Sequence, residues 1–303
     1  MNIEAMTLQP ESIAIVLPVH NRKRMTLACL SSLLRQRIRG FQIILVDSGS
    51  TDGTADAVKA EFPNVTVLRH GNLWWAGATN KGVECALAGR ANYVLTINDD
   101  LEFAEDYLEA MMCAAKSHPL ALMGSHTFDF DTKQPIYCGH LIDWKTASNC
   151  ELLQTVPSEH RHGLYGVTCY SARGLWIPAK VFLKIGLFDE KHLPHYTADM
   201  DFTARAAGAG FEMKVNCDAV LFNHQDQSGA REAFENYNWH NYWKHLFGIQ
   251  GAGNLRNFTI FAFRHCPRRY LPFYWTIGII KCLGGYLYSW LKHKLSHIGR
   301  ECR

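Results

Sequence analysis

Three polar clusters in the sequence have residue types that could do chemistry, and the first is Asn98-Asp99-Asp100. It directly follows the apolar segment Tyr93–Ile97, which predicts a buried strand. Two adjacent carboxylates at a strand end suit a hard divalent cation or the hydroxyls of a ribose. The alternative is a cluster that caps the next helix, where Asp is also common. Because strand–helix units precede the cluster, we favour the ligand-binding interpretation.

The second cluster is Asp199-Met200-Asp201, at the start of a helix predicted over Asp199–Ala207. The N-terminal end of a helix stabilises a carboxylate as the anion. An anionic carboxylate within about 3 Å of a substrate hydroxyl can act as a general base. A pair that only caps the helix is the alternative, and one carboxylate can cap while the other faces a cleft.

The third candidate is His224, which follows a strand predicted over Val215–Phe222 and could bind a metal ion. A lone His is more often a surface or hydrogen-bonded residue. Trp74 and Trp75 form an aromatic pair in a predicted loop, where they could stack on a sugar or a base. Packing of both rings on the core is the alternative, since Trp is mostly buried wherever it occurs.

The elements that must position these clusters are predicted from apolar runs and turn residues. Ser12–Val19 is an apolar, β-branched run that predicts a buried strand, and Asn21 is placed to cap the helix that follows. Strands and helices then alternate, which predicts an α/β fold with a mostly parallel sheet. Ligands in such folds bind beyond the carboxyl ends of the strands. The strands predicted in this half are Ser12–Val19, Phe41–Val46, Val65–Leu68 and Tyr93–Ile97.

The pattern changes near residue 120, and the second half is expected to cover the sheet and form the other wall of a cleft. Asn149–Gly166 is polar and rich in His, which predicts a loop. The strands predicted in this half are Leu120–Gly124, Pro135–Ile142, Val167–Ile177 and Val215–Phe222.

Composition and motifs exclude several classes of protein. The chain has 303 residues and a formal net charge of +3, with no low-complexity tract. It has no glycine-rich dinucleotide motif and no P-loop, and we expect no nucleic-acid partner. The ten cysteines include no C-x-x-C pair and lack the spacing of a structural zinc site. Because Asn2–Glu11 lacks the regions of a signal peptide, we expect a cytoplasmic compartment with reduced thiols.

The C-terminal segment is basic and aromatic. Residues 254–303 contain nine Lys or Arg and one acid, Glu301. The stretch Leu271–Trp290 is about long enough to cross a bilayer, but Lys281, a proline and three glycines interrupt it. Aromatic residues with basic flanks are typical of interfacial segments. We therefore expect residues 255–303 to hold the protein on an anionic membrane surface, at the inner face of the cytoplasmic membrane. The alternative is that the tail packs on the catalytic domain or on a second subunit of a homo-oligomer.

Five segments, in the same order, resemble family 2 glycosyltransferases, the inverting nucleotide-sugar enzymes of the GT-A fold. The most specific is V-D-S-G-S-T-D-G-T at Val46–Thr54. Within the family, the chain resembles the bacterial rhamnosyltransferase-like enzymes of surface polysaccharide assembly. The resemblance spans roughly residues 11–250 and is carried by Ile15–Arg22, Val46–Thr54, Asn72–Gly82, Leu95–Asp100 and Gly174–Asp201.

The resemblance implies a GT-A fold, a mixed but mostly parallel sheet between helices, followed by a helical C-terminal tail. The catalytic domain would span residues 1–253, with a nucleotide-sugar half at 11–118 and an acceptor half at 119–253, and the tail would span 254–303. The implied activity is that of a hexosyltransferase. It would move a sugar from a dTDP- or UDP-linked donor to a hydroxyl of a glycan or lipid-linked glycan, with Mn²⁺ or Mg²⁺. The products would be bacterial surface polysaccharides of the O-antigen or capsule type.

The resemblance also implies a role for each matching residue. Asp199 matches the general base of the family, and Asp201 is the second candidate for that role. Asp100 matches the metal-binding position, and His224 matches a His that completes the metal site in some members. The residues expected to bind the donor are Pro18, Val19, His20, Asn21, Arg22, Asp47, Trp75, Gly77, Asn80, Asn98 and Asp99.

The chain departs from the family pattern at Ser48, Asn98 and Ala198, each of which replaces an acid. The change at Ala198 leaves the choice between Asp199 and Asp201 open. Two other functions are open alternatives. A sugar-phosphate nucleotidyltransferase usually has a glycine-rich basic loop after its first strand, whereas this chain has P-V-H-N-R there. A non-catalytic protein that binds nucleotide sugars or glycans is supported only by the missing acid at Ala198.

Overall fold

The computed structural model describes residues 12–225 and 237–301, and its centre is a mixed β-sheet between two layers of helices. The predicted domain bounds therefore include residues 1–11, 226–236 and 302–303, which lie outside the described residues. The strands are β1 (Ile13–Val19), β2 (Gln42–Ser48), β3 (Thr66–His70), β4 (Tyr93–Thr96), β5 (Leu101–Phe103), β6 (Leu122–Asp129), β7 (Pro135–Tyr137), β8 (His140–Asp143), β9 (Ser148–Glu151), β10 (Leu164–Gly166), β11 (Leu175–Pro178) and β12 (Met213–Asn223). The helices are α1 (Lys23–Leu34), α2 (Thr54–Glu61), α3 (Trp75–Ala88), α4 (Tyr107–Ser117), α5 (Ala179–Ile185), α6 (Ala198–Gly208), α7 (Trp239–Phe247), α8 (Leu255–His265) and α9 (Leu271–Glu301).

Within the described residues, the main sheet has ten strands in the order β10-β12-β6-β11-β4-β1-β2-β3, with β5 beside β12 and β7 beside β6. Strands β4, β1, β2 and β3 are parallel, and β6 and β12 are parallel. Strand β11 lies antiparallel between β4 and β6 and joins the two halves. The predicted α/β fold with a mostly parallel sheet is confirmed.

Strand β1 shows why both faces of the sheet are covered. Its alternate residues Ile13, Ile15 and Leu17 pack with α1, α2 and α4, whereas Ala14 and Val16 pack with α3 on the other face. All five of these side chains are fully buried. Helix α3 comes so close to this strand that a Cβ at Gly82 would lie 2.3 Å from Val16 Cγ1, which explains the glycine in mid-helix.

Several sequence-based expectations for the second half were wrong. The strand expected over Pro135–Ile142 is broken into β7 and β8, because Gly139 has a φ of +85°. Only the end of Val167–Ile177 is a strand, since the chain first forms the loop that leads into β11. The loop expected over Asn149–Gly166 contains β9, β10 and two turns of 3₁₀ helix. Apolar alternation alone did not show these breaks.

The C-terminal helices pack on the catalytic fold along one side. Tyr274 of α9 is buried against Trp144, and Lys281 donates a hydrogen bond to the carbonyl of Ala147 over 2.5 Å. Tyr286 is buried beside Tyr242 of α7. No helix in the described part of the chain combines the length and the hydrophobicity needed to cross a bilayer.

Candidate active site

The candidate site lies where β4, β1 and β2 end side by side. Because these strands are parallel neighbours, the residues that follow them share one edge of the sheet. The loop after β1 crosses to the loop after β2, where His20 Nδ1 is 2.9 Å from the carbonyl oxygen of Ser48. This edge therefore collects the loop after β1, the loop after β2 and the two aspartates after β4.

Asn21 does not cap α1, so that expectation was wrong. Its φ is +53°, and its side-chain oxygen accepts a hydrogen bond from the backbone N–H of Thr51 over 2.7 Å. The carboxylate of Asp52 instead accepts from the backbone N–H of Lys23, the first residue of α1, over 2.9 Å. The loop after β2 thus both orders the loop after β1 and supplies the helix cap.

Asp47 and Ser48 hold the loops around the expected nucleotide pocket. Asp47 is buried, and its Oδ1 accepts from the backbone N–H of Ser50 over 3.0 Å. The hydroxyl of Ser48 accepts from the backbone N–H of Leu73 over 2.7 Å. An acid at position 48 could accept the same bond, but it would add a second negative charge at this buried position.

Asp99 and Asp100 are buried at 5% and 6% exposure between β4 and β5. Arg22 Nη1 lies 3.1 Å from Asp99 Oδ1 and 4.0 Å from Asp100 Oδ2. The other two oxygens, Asp99 Oδ2 and Asp100 Oδ1, are buried without a hydrogen-bond partner. The helix-cap alternative for this pair was wrong, because α4 begins only at Tyr107.

These two oxygens fit a divalent cation. Burying an anionic oxygen without a partner is costly, and carboxylate oxygens are the ligands that Mg²⁺ and similar hard cations prefer. The pKa of Asp99 is raised to about 7, because burial and, to a smaller degree, the neighbouring Asp100 raise it more than Arg22 lowers it. Arg22 alone therefore does not offset the cost of burying the ionised form of Asp99.

The side chain of His224 is engaged elsewhere. Its Nε2 lies 3.0 Å from Glu102 Oε1, and its ring stacks on Phe130 at 3.9 Å. The backbone N–H of His224 donates to the carbonyl of Asp100 over 3.0 Å, so the two residues are neighbours. Because this contact uses Nε2, a metal-binding role for the ring would have to use Nδ1, with Glu102 as the partner of the other nitrogen.

Trp75 and Asn98 form one wall of the site. Trp75 Nε1 donates to the side-chain oxygen of Asn98 over 3.0 Å, and its ring packs edge-on against Phe188. Trp74, in contrast, is 40% exposed and contacts His195 with its ring edge. Of the two alternatives, packing therefore applies to Trp75, whereas Trp74 stays accessible to a ligand.

Asn80 and Gly77 connect α3 to the segment before α6. The side-chain amide of Asn80 donates to the carbonyl of Phe188 over 2.9 Å and accepts from its N–H over 3.0 Å. A Cβ at Gly77 would lie 3.1 Å from Glu190 Oε2. Both residues therefore position the pocket wall.

Asp199 lies in the first turn of α6, where Thr197 with a φ of +76° starts the helix. Its Oδ2 accepts from the backbone N–H of Ala172 and its Oδ1 from that of Met200, over 3.0 and 2.9 Å. Burial raises the pKa of Asp199, while these hydrogen bonds lower it. A carboxylate with a raised pKa accepts a proton more readily, as a general base must.

Asp201 has a different environment, although it is only two residues away. It is fully buried and has three basic partners: Arg205 at 2.9 Å, Arg264 at 3.1 Å and His265 at 2.8 Å. Burial raises the pKa of Asp201, but the hydrogen bonds from these partners outweigh it and hold the pKa at about 2. Two partners belong to α8, so this cluster joins the predicted tail to the catalytic fold.

Sequence analysis missed two residues of the site, Arg173 and Tyr196. Burial raises the pKa of Tyr196, Arg173 lowers it, and the charges of Asp100 and Asp199 raise it, so both carboxylates lie close enough to act on this hydroxyl electrostatically. Arg173 lowers the pKa of both Asp199 and Tyr196. A charged residue inside the apolar stretch Val167–Ile177 was the sequence signal for Arg173.

Gly174 fixes the backbone beside Arg173. Its φ is +73°, and a Cβ there would lie 2.7 Å from the hydroxyls of Ser125 and Tyr107. The hydroxyl of Ser125 donates to the carbonyl of Gly174 over 2.7 Å, and the hydroxyl of Tyr170 donates to that of Arg173 over 3.0 Å. This buried hydrogen-bonded network holds the loop that carries Arg173 at the cleft.

Comparison with known proteins agrees with this geometry. The model of glycosyl transferase family 2 matches residues 14–168. The chain is 29% identical over 231 residues to an N-acetylglucosaminyl-diphospho-decaprenol L-rhamnosyltransferase of Mycobacterium tuberculosis, which covers 67% of this chain and 73% of the relative. It is 23% identical to the glycosyltransferase GlyG of Streptococcus pneumoniae over 186 residues, 60% of each chain.

Solved structures share the fold. The mannosyltransferase PcManGT from Pyrobaculum calidifontis, in complex with GDP-Man and Mn²⁺, superposes with a TM-score of 0.59 at 15% identity, covering 93% of this chain and 74% of that one. GalNAc-T7 with UDP, GalNAc and Mn²⁺ superposes with a TM-score of 0.57 at 14% identity, covering 70% of this chain and 43% of that one.

These matches define a glycosyltransferase with a GT-A fold. The chain belongs to glycosyl transferase family 2, and the family expected from its five segments is confirmed.

We predict that Asp201→Asn lowers the free energy of unfolding by roughly 2–4 kcal/mol at neutral pH, because it leaves the partly buried Arg205 and Arg264 without their shared anion. The pKa of Asp201 is lower in the folded chain than the value of about 3.9 in an unfolded one. Its stabilising contribution is therefore present above about pH 4 and is lost as the pH falls toward 2. Urea unfolding at several pH values measures both effects.

The control for this prediction is Asp56→Asn, the same substitution at an exposed surface ion pair with Arg69. Its effect on unfolding should stay below about 1 kcal/mol. Equal destabilisation by the two variants would contradict a structural role for the Asp201 cluster.

Proposed function

We propose that the protein transfers a sugar, with inversion, from a dTDP- or UDP-linked donor to a hydroxyl of a glycan or lipid-linked glycan. The observation that carries the proposal is the pair of buried, unpartnered oxygens on Asp99 and Asp100, together with Asp199, which like Asp100 is close enough to Tyr196 to raise its pKa. Inverting transfer needs one anionic site for the donor diphosphate's counterion and one base for the acceptor. The cleft offers both.

Asp100, assisted by Asp99, would hold Mn²⁺ or Mg²⁺. When bound, such an ion neutralises charge on the diphosphate leaving group. Arg22 lies near one oxygen of each carboxylate, so the other oxygen of each carboxylate is left for a ligand. His224 could join through Nδ1 while Nε2 stays with Glu102, and we assign it a secondary role.

The donor nucleotide would lie over the loop Pro18–Arg22 and beside Asp47. This placement follows from the position of both loops at the carboxyl ends of β1 and β2. Trp75, Gly77, Asn80 and Asn98 support the pocket wall through the contacts described above.

Asp199, rather than Asp201, is the proposed general base. A base must reach the acceptor hydroxyl and hold a proton for a moment, and the raised pKa of Asp199 suits this. Asp201 is fully buried among three basic groups that keep it ionised, so it is a poor proton acceptor. Arg173 lies where it can balance the charge of Asp199.

The acceptor class rests on the relative from Mycobacterium tuberculosis, whose name describes a diphospho-decaprenol-linked acceptor. We infer that this chain, too, acts on a lipid-linked glycan in bacterial surface polysaccharide synthesis, of the O-antigen or capsule type. Such an acceptor lies at a membrane, so the enzyme would have to work there.

Membrane attachment would use the exposed side of α9 at the inner face of the cytoplasmic membrane. Phe273, Ile280, Leu287 and Leu291 recur at helical spacing and are between 36% and 58% exposed. They lie on the side of the helix away from the buried Tyr274. Lys292 and Lys294 next to them are exposed and would attract anionic lipid.

We predict that Asp100→Ala removes the Mn²⁺-dependent part of nucleoside diphosphate binding, an affinity loss of at least about tenfold. Calorimetry with UDP or dTDP, with and without Mn²⁺, measures it. Asp56→Ala removes an exposed acid of α2 and should bind as the unmodified protein does. Unchanged Mn²⁺-dependent affinity in Asp100→Ala would refute the metal assignment.

We predict that Asp199→Asn lowers turnover about 10²- to 10⁴-fold while nucleoside diphosphate binding is retained, because only proton removal from the acceptor is lost. Release of nucleoside diphosphate from dTDP- and UDP-sugars, with lipid-linked glycans from a bacterial membrane extract, provides the assay. Asp201→Asn is the comparison, and per folded molecule it should keep most of its turnover. If Asp201→Asn is the more damaging of the two, Asp199 is not the base.

We predict that the full chain floats with anionic phosphatidylglycerol vesicles, and less so at high salt. Replacing Ile280, Leu287 and Leu291 of α9 with Ser should reduce vesicle binding at least about tenfold, since apolar area then no longer enters the interface. The control replaces three exposed leucines elsewhere, Leu34, Leu120 and Leu183, with Ser. Equal binding by both triple variants, or no flotation of the full chain, would overturn membrane attachment through α9.

A further inference from the structure

A second cluster of metal-ligating side chains lies apart from Asp99 and Asp100. His126 of β6, Cys138 after β7 and Cys217 of β12 bring one ligand atom each within 4.8 Å of one another. Their exposures are 5%, 0% and 3%, and the two sulfur atoms are 3.6 Å apart. No step of the proposed sugar transfer uses these residues.

A bulge in β12 creates the cluster. Strand β12 pairs with β6 up to Asn216 and resumes at Val220, so Cys217 and the two residues after it interrupt the register. Bulges of this kind redirect side chains. The backbone N–H of Cys217 donates to the carbonyl of Gly163 over 2.8 Å, which holds the bulge in place.

The chain around Cys138 is also shaped for this position. Gly139 has a φ of +85°, and a Cβ there would lie 3.0 Å from both Val167 and Val215. Only glycine fits this turn without strain. The turn ends β7 and leaves Cys138 buried beside Cys217.

The imidazole of His126 has a nitrogen suited to a metal ion. Its Nε2 is buried with no hydrogen-bond partner among the described residues. Burying a polar nitrogen without a partner is costly. Because an imidazole nitrogen is a common ligand of Zn²⁺, a cation bound there would remove this cost.

The sulfur–sulfur distance and the charge of two thiolates fit a tetrahedral metal site. Zinc–sulfur bonds of about 2.3 Å at the tetrahedral angle place two sulfur atoms about 3.8 Å apart. The observed separation of 3.6 Å is close to this. Two thiolates would balance the charge of a divalent cation.

We propose that His126, Cys138 and Cys217 bind a thiophilic divalent cation, Zn²⁺, whose fourth position is taken by water or another small donor. Binding would release the two thiol protons to solvent as the two zinc–sulfur bonds form. The cation would tie the β12 bulge to β6 and to the turn after β7. Cys217 is 79 residues from Cys138, so the motif spacing typical of zinc sites does not show this cluster.

The test uses the full-length, reduced protein after removal of metal by a chelator, titrated with Co²⁺ and then with Zn²⁺. We expect one equivalent of Co²⁺ to give a thiolate-to-cobalt charge-transfer band, which Zn²⁺ abolishes by displacement. Oxygen ligands such as Asp99 and Asp100 cannot produce this band, so the signal is specific to the cluster. Zn²⁺ should also raise the melting temperature.

Matched variants locate the signal. Cys217→Ser and His126→Gln should each weaken Co²⁺ binding at least about a hundredfold, whereas Cys113→Ser, at an exposed free thiol, should leave it unchanged. UDP or dTDP binding by each variant shows whether it is folded, and Cys138→Ser replaces Cys217→Ser if that variant is not. The proposal is overturned if the reduced protein gives no band. It is also overturned if the band survives in both cluster variants, or if mass spectrometry finds Cys138 and Cys217 joined in a disulfide in the protein as isolated.

Discussion

Two adjacent carboxylates buried beside one arginine are the constraint on which the rest of the structure depends. Asp99 and Asp100 are almost fully buried, and among the described residues their ion pairs go only to Arg22. Burying ionised groups is costly unless partners balance them. The parallel strands β4, β1 and β2 nevertheless bring both aspartates and the arginine together at one edge of the sheet. This incomplete compensation is the reason why we propose that the edge binds a cation and the donor diphosphate.

The same physical factors separate Asp199 from Asp201. Both lie in the first turn of α6, yet Asp199 accepts hydrogen bonds only from backbone N–H groups, while Asp201 is surrounded by Arg205, Arg264 and His265. The first arrangement leaves a carboxylate that can take up a proton. The second keeps a carboxylate ionised and uses it to fasten α8 to the catalytic fold. Helix α8 therefore helps to hold α6 and its Asp199 in place. The exposed side of α9 is the surface that we propose for membrane attachment.

Local patterns in the sequence were enough to predict the first half of the fold. The apolar runs that became β1, β2 and β4 are short and bounded by polar residues, and their βα alternation permits few topologies. The position of the aspartates after β4 could be predicted, because the end of a strand is visible in the sequence and lies at a defined edge of the sheet. The family itself followed from five such segments in order.

What the sequence did not show depends on long-range contacts. Nothing local indicates that Asp52, rather than Asn21, caps α1, or that Glu102 takes the ring of His224. Two of the three partners of Asp201 come from α8, more than sixty residues later. The site of His126, Cys138 and Cys217 exists only because a bulge turns one side chain toward two distant ones. Such features need the tertiary structure, because no residue near them in sequence reports on them.

The role that we propose for the unpartnered oxygens of Asp99 and Asp100 is to hold the cation that receives the donor diphosphate. Anomalous diffraction from crystals grown with Mn²⁺ and UDP or dTDP tests it most directly. We expect an anomalous peak for manganese at coordination distance, about 2 Å, from a carboxylate oxygen of Asp100, with the diphosphate as a further ligand. Nucleotide bound in the cleft with no manganese at Asp100, or with manganese at another site, would contradict it.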